Sequence, residues 1–154
     1  MAPIEKWGPA TWTLFHTLAE HLKEESYREV AWPLFEQIKR TCGILPCPDC
    51  TQHAVAFTAS VRPHQIATKH DFKSMLYVFH NMVNRRKRKA LFPFAQLSVE
   101  YSREAKPSLR TVFNLFAASF TTRGDMMTIA DEMHRKRVIE GFHQFISSNI
   151  HHFN

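Results

Sequence analysis

The chain has 154 residues and a formal net charge of +6, enough for one domain with a buried core, and charged side chains interrupt every apolar stretch before it reaches membrane-spanning length. Thirteen Phe beside four Gly favour packed helices over a loop-rich fold. Three cysteines, with no charged-then-apolar leader at the start, argue against a secretory signal and a structural disulfide framework, so the chain reads as soluble and its thiols as chemistry.

Trp7-Gly8-Pro9 opens the first predicted helix, from about Ala10 to Glu24, with Trp12, Phe15, His16, Leu18, Ala19 and Leu22 at helical spacing. Proline suits a first turn because its missing N–H has no partner there. A second helix runs from near Tyr27 to Arg40, with Val30, Leu34, Phe35 and Ile38 inward and Pro33 a local blemish, and stops at Cys42-Gly43. The third starts near Cys47: Pro46 disfavours helix in the residue before it, and Pro48 is tolerated in the first turn. It carries Val55, Ala56 and Phe57 as far as Arg62-Pro63.

Cys47-Pro48-Asp49-Cys50 therefore sits at a helix start, where unpaired N–H groups and the positive dipole end stabilise a thiolate, lower a thiol's pKa and make it a better nucleophile. The spacing also permits a Cys47–Cys50 disulfide. A redox dithiol is the leading reading. A zinc site with Cys42, Cys47, Cys50 and His53 as ligands is the alternative, and plain structural thiols are a third.

The fourth helix has Phe72, Met75, Leu76, Phe79, Met82 and Val83 at offsets of a core-facing stripe. At about 100° per residue, His80, Asn84 and Lys87 share one border of that stripe while Asn81 projects elsewhere. The trio is either a ligand-contacting edge or a solvated one. Arg85-Arg86-Lys87-Arg88-Lys89 is likewise a solvated turn or a nucleic-acid or nuclear-import patch. Phe92 to Pro107 reads as a connection bracketed by Pro93 and Pro107. Leu109, Val112, Phe113, Phe116 and Phe120 then mark a fifth helix ended by Gly124, and a sixth runs from about Met126 towards Ile150 with Ile129, Ala130, Met133, Phe142, Phe145 and Ile146. These last faces cap the bundle or form an interface between subunits.

Four pieces occur in order: Trp7-Gly8; Trp12-Thr13-Leu14-Phe15-His16-Thr17-Leu18-Ala19; Pro46-Cys47-Pro48-Asp49-Cys50; and His80-Asn81-Met82-Val83-Asn84 with basic residues to Lys89. Together they resemble the Erv/ALR family of FAD-dependent sulfhydryl oxidases. The likeness covers residues 3–93, and residues 94–154 form an additional helical extension. The resemblance implies an all-α fold, a four-helix bundle enclosing FAD with further C-terminal helices. By matching motifs, Cys50 would be the cysteine beside the flavin and Cys47 the outer one that exchanges with substrate. Lys6, Trp7, Gly8, Trp12 and His16 would line the nucleotide; His80, Asn81, Val83 and Asn84 would contact flavin and adenosine. Lys89 matches the family's basic residue near the pyrophosphate, with Lys87 beside it, and His53 is a weaker match. No metal is implied.

The implied activity is FAD-linked formation of disulfides in protein dithiols, such as thioredoxin-like or viral thiol proteins, with electrons passing to O2 to give hydrogen peroxide. A homodimer is implied; a membrane span and a nucleic-acid partner are not. The alternative is a zinc-stabilised helical module whose basic run binds nucleic acid. Three departures stand out: there is no second shuttle cysteine pair, no downstream stapling pair, and Arg88 occupies the place of the glycine usual before the family's lysine. A minimal member with a foreign helical tail looks most like the branch from large cytoplasmic DNA viruses, which implies the infected-cell cytoplasm or the virion. Cys42 stands as an intersubunit partner, a stand-in shuttle or an inert buried thiol.

Overall fold

Pro9 does not start the first helix but lies inside it. Helix α1 runs Ile4–His21, because Trp7 is buried against the core and the Thr11 hydroxyl donates to the Trp7 carbonyl at 2.6 Å. The proline forfeits one backbone bond, a cost that a well-packed turn absorbs. The far end falls at His21 instead of Glu24, since Glu24–Ser26 tightens into a 3-10 turn. The computed structural model describes residues 4–102, 107–120 and 128–154. Among them every regular element is helical.

Helix α2 (Tyr27–Cys42) keeps Pro33 on its exposed side. Helix α3 (Pro48–Ser60) begins where the two prolines require, and α4 (Lys69–Arg86) opens on a capping box in which Thr68 and Asp71 satisfy each other's backbone N–H. The expected connection after Phe92 contains a 3-10 turn at Phe94–Gln96 and a single turn, α5 (Leu97–Glu100), held by burial of Leu97 and Tyr101. Helices α6 (Leu109–Ser119) and α7 (Ile129–Ser148) complete the fold. The expected boundaries at Gly124 and Met126, and Pro3 at the edge of the family likeness, lie outside the described residues.

One contiguous core is built from Leu14, Phe15 and Leu18 of α1, Leu34, Phe35 and Ile38 of α2, Phe72, Leu76 and Phe79 of α4, Phe113 and Phe116 of α6 and Phe142 of α7. Helix α6 lies along α1 and α7 along α2, so the extension packs on the bundle within the chain. Four side chains assigned inward by periodicity, Met82, Ile129, Ala130 and Met133, are exposed. Helix α3 buries only Ala54 and Thr58, and reaches the core mainly through Phe57, whose ring stacks on Phe79 with centroids 4.5 Å apart. It lies over the core and is not part of its centre.

The chain's last residues return to the corner between α1 and α2. Lys23 N–H donates to the His152 carbonyl at 2.9 Å and Asn154 N–H to the His21 carbonyl at 2.8 Å, flanking a bridge between Leu22 and Phe153. The His152 ring bonds Ser26 Oγ at 2.7 Å, and Phe153 is 6% exposed within the core. This strap ties the extension to the bundle. Phe153→Ala is expected to lower the free energy of unfolding by about 3 kcal/mol, read from the denaturant midpoint; a change under about 1 kcal/mol would mean that the strap is not part of the cooperative unit.

Candidate active site

The turn that opens α3 fixes two thiols in different surroundings. Cys47 is the N-cap residue, and its sulfur accepts the Cys50 N–H at 3.3 Å. Thr51 anchors the same turn by donating to the carbonyls of Leu45 (3.1 Å) and Cys47 (3.0 Å). Both cysteines are free thiols and half-buried. Burial pushes the Cys50 thiol up to about 11, with a hydrogen bond to Cys47 adding to it and the Lys87 and Arg86 charges pulling the other way. The lowering expected from a helix start is thus overridden at Cys50 by desolvation in the dithiol form.

Cys50 lines a narrow cleft, about 60 Å³, together with Trp7, Gly8, Thr11, Trp12, Phe15, Cys42, Leu45, Ala54, Phe79, Val83, Arg86 and Lys87. Its walls are aromatic and apolar and two cations stand at its rim. Lys87 Nζ sits 5.9 Å from the Trp7 ring centroid, and Arg86 donates to the Asp49 carboxylate at 2.9 Å, which ties the end of α4 to the dithiol turn. Gly8 leaves its part of the wall flat: a Cβ there would meet only Ile4 Cγ1, at 3.9 Å.

Behind Trp12 runs a column of stacked rings. Trp12 lies 4.2 Å from His80 at an interplanar angle of 7°, and His16 lies 4.7 Å from Tyr101. His16 Nε2 and His80 Nδ1 are 2.9 Å apart, a spacing that holds one proton between two neutral rings. Burial, with the His80 neighbour second, drops the His16 pKa to about 3; burial and then Lys89 drop His80 to about 4.

Of the residues named from sequence, Trp7, Gly8, Trp12, Val83 and Lys87 line the cleft with Cys50, and His16 and His80 adjoin it through the ring column. Others lie elsewhere. The Asn81 amide is spent on the Phe92 backbone, donating to its carbonyl at 3.0 Å and accepting its N–H at 2.9 Å, and Asn84 donates to the Ala90 carbonyl at 3.3 Å. Lys6 and Lys89 are exposed off the cleft, and His53 stands on the outer side of α3, 3.9 Å from Asp49. Cys42 is buried in the wall of the same cleft as Cys50, with its pKa raised to about 12 by desolvation; among the described residues no cluster of three His, Cys, Asp or Glu is arranged to hold a metal. Sequence reasoning missed Thr11, Phe15, Ala54, Phe79 and Arg86. The signal lay in spacing from named residues: Phe79 is one turn before Val83, Thr11 and Phe15 flank Trp12, and Ala54 is one turn after Cys50.

The Erv1 / Alr family model matches residues 9–102. A rice protein named FAD-linked sulfhydryl oxidase ERV1 is 29% identical over 104 residues, which cover 66% of this chain and 53% of that protein. Its Arabidopsis thaliana namesake is 30% identical over 99 residues, 64% of this chain and 51% of the relative. An African swine fever virus protein named FAD-linked sulfhydryl oxidase is 27% identical over 95 residues, 58% of this chain and 75% of the relative. The chain spans about half the length of the plant relatives it matches. No solved structure matches it at a significant level.

The His16–His80 pair gives the fold a pH dependence with a definite sign. Both folded-state values lie below the ordinary 6.5, so the unfolded chain takes up protons first as pH falls; the stabilisation is full above 6.5 and is lost progressively towards pH 3. Unfolding free energy should fall by up to about 2–3 kcal/mol per pH unit between about pH 6 and 4 on account of the pair, and His80→Gln should flatten that slope. Equal slopes in parent and variant would remove the pair from the acid response.

Proposed function

Because the chain belongs to the Erv1/Alr family, we propose that it is an FAD-linked sulfhydryl oxidase in which Cys47 exchanges with a protein dithiol and Cys50 hands the electrons inward. The observation that carries this reading is the position of Cys50 on the wall of an aromatic cleft, with Cys47 one helical turn away at the cap and cations at the rim. The cleft suits a flavin in chemistry more than in volume. Flat aromatic walls, a glycine that leaves one wall open and cations for a developing negative charge match an isoalloxazine, whereas a cavity of about 60 Å³ requires its side chains to move apart for so large a ring.

Trp7, Gly8, Trp12, Phe79, Val83 and Lys87 would hold the ring against Cys50, with His16 and His80 next to it and Lys89 available to the diphosphate. When bound, FAD supplies two-electron acceptance from the dithiol and reaction with O2 to give hydrogen peroxide. The protein's own part is sulfur chemistry. In the oxidised enzyme a substrate thiolate attacks the Cys47 sulfur, the Cys47–Cys50 bond breaks and Cys50 leaves as a thiolate. The second substrate thiolate then displaces Cys47 from the mixed disulfide. The substrate ends as a disulfide and the enzyme as a dithiol holding two electrons.

Arg86 and Lys87 favour the Cys50 thiolate against the burial that opposes it. Cys42, buried and lacking a cation to lower its pKa, takes no part in exchange. The His pair, neutral at pH 7, adds no charge of its own to the ring column, and Lys87 and Arg86 are the cations that act on Cys50.

The purified protein should show the visible absorption of bound flavin and consume oxygen when given dithiothreitol. A colourless protein without oxygen uptake would overturn the assignment. Cys47→Ser and Cys50→Ser should each lower turnover by roughly 10³-fold or more; Cys47→Ser leaves the Cys50 thiolate beside the flavin whereas Cys50→Ser removes it, so the two variants should differ in flavin spectrum. Cys42→Ser should retain turnover within about threefold, since it removes a thiol outside the exchange; a collapse in a folded variant would make Cys42 a participant.

A further inference from the structure

The proposed oxidase accounts for Lys87 and Lys89 of the five-residue basic run, but not for Arg85 or Arg88. Both are exposed, and among the described residues neither has a carboxylate partner. Their location is set by the end of α4. Lys87 N–H bonds the Val83 carbonyl, Arg88 N–H the Arg85 carbonyl at 3.1 Å and Lys89 N–H the Asn84 carbonyl at 2.8 Å, the paired closure of a Schellman turn. Such a turn needs a left-handed residue just past the helix, and here it is Arg88, with φ 57°. Glycine takes that conformation freely, whereas a side chain pays a steric cost. An arginine held there, beside four other cations, is a charge kept against the local backbone preference.

One member of the run also reaches the dithiol turn. Arg86, between Arg85 and Lys87, bonds the carboxylate of Asp49, which lies between Cys47 and Cys50 in sequence and is 71% exposed. The patch therefore already binds one carboxylate at the mouth of the dithiol, and does so in the open. A second carboxylate arriving on a docking protein would find Arg85 and Arg88 free and Arg86 exchangeable.

From this, and resting on the oxidase reading above, we infer that the physiological substrate is a dithiol protein with acidic residues flanking its cysteine pair, drawn to Cys47 by Arg85, Arg86 and Arg88. The cations raise the encounter rate and orient the substrate sulfur towards Cys47; they do not enter the exchange itself.

The test uses the flavin-loaded protein and three reductants: dithiothreitol, a CxxC peptide flanked by glutamates and the same peptide flanked by lysines. At low salt the acidic peptide should have a kcat/KM about tenfold or more above the basic one, and high salt should erase the difference. The double variant Arg85→Gln/Arg88→Gly, which keeps the left-handed turn accessible, should lose about tenfold on the acidic peptide while its dithiothreitol turnover and flavin content stay at the parental level. Equal rates for the two peptides, or an unchanged rate in the double variant, would overturn the inference. So would equal peptide rates accompanied by salt-sensitive binding of a short duplex DNA that the double variant loses, because the patch would then serve nucleic acid. Absence of dithiothreitol turnover in the parent is a different failure: it removes the oxidase reading, and the substrate inference with it.

Discussion

Setting one thiol at a helix cap and its partner one turn further in, where the same turn meets a wall of aromatic rings, forces two neighbouring sulfurs into different surroundings. Everything else at the site follows from that turn. Pro46 and Pro48 fix where α3 can begin, Thr51 pins the approach to it, and Cys50 is thereby delivered to the cleft while Cys47 holds the cap. Burial then opposes ionisation of Cys50, and the opposing charge has to come from another helix. It comes from the end of α4 through Arg86 and Lys87. The register of α4 against α3 is thus an electrostatic requirement as well as a packing one.

That register depends on few contacts from α3 itself. The helix buries two small side chains, lies along α2 and lays Phe57 on Phe79 of α4, so its position is set by α2 and that ring pair, and at its tip by the exposed Arg86–Asp49 bond. An exposed ion pair contributes little stability, about 0–1 kcal/mol. Its value here is positional. The extension supports the arrangement with α6 along α1 and α7 along α2, and Phe120 at the end of α6 packs edge-on against Trp7 of the cleft wall.

Much of this was legible in the amino acids. The prolines gave the start of α3 to within a residue, and the 3.6-residue stripe of Phe72, Leu76 and Phe79 gave the inward face of α4. Pro9 misled because a proline inside a helix and one at its start look alike when Trp7's burial is unseen. Met82, Ile129 and Met133 obey the same periodicity as buried neighbours, yet they lie beyond the width of the interface, which no single-helix pattern reports. Asn81 and Asn84 were expected at a ligand, and their amides hold the backbone of the loop that follows, a pairing that composition does not report. The rise of the Cys50 pKa was hidden for a related reason, since helix position is local and burial is not. Arg88 shows the converse, a departure visible in the sequence whose physical meaning, a left-handed turn occupied by a charged side chain, emerges only from the backbone.

The strap at the α1–α2 corner bears on how the molecule is made. Residues 21–23 pair with residues 152–154, a separation close to the whole sequence, and closing so wide a loop is slow compared with forming local helices. During synthesis the corner stays open until residue 154 has cleared the ribosome, long after α3 and its cysteines have emerged. Helices α1 and α2 and the dithiol turn can therefore form before residues 152–154 are there to pair with residues 21–23, and the apolar pocket that receives Phe153 stays open for that interval.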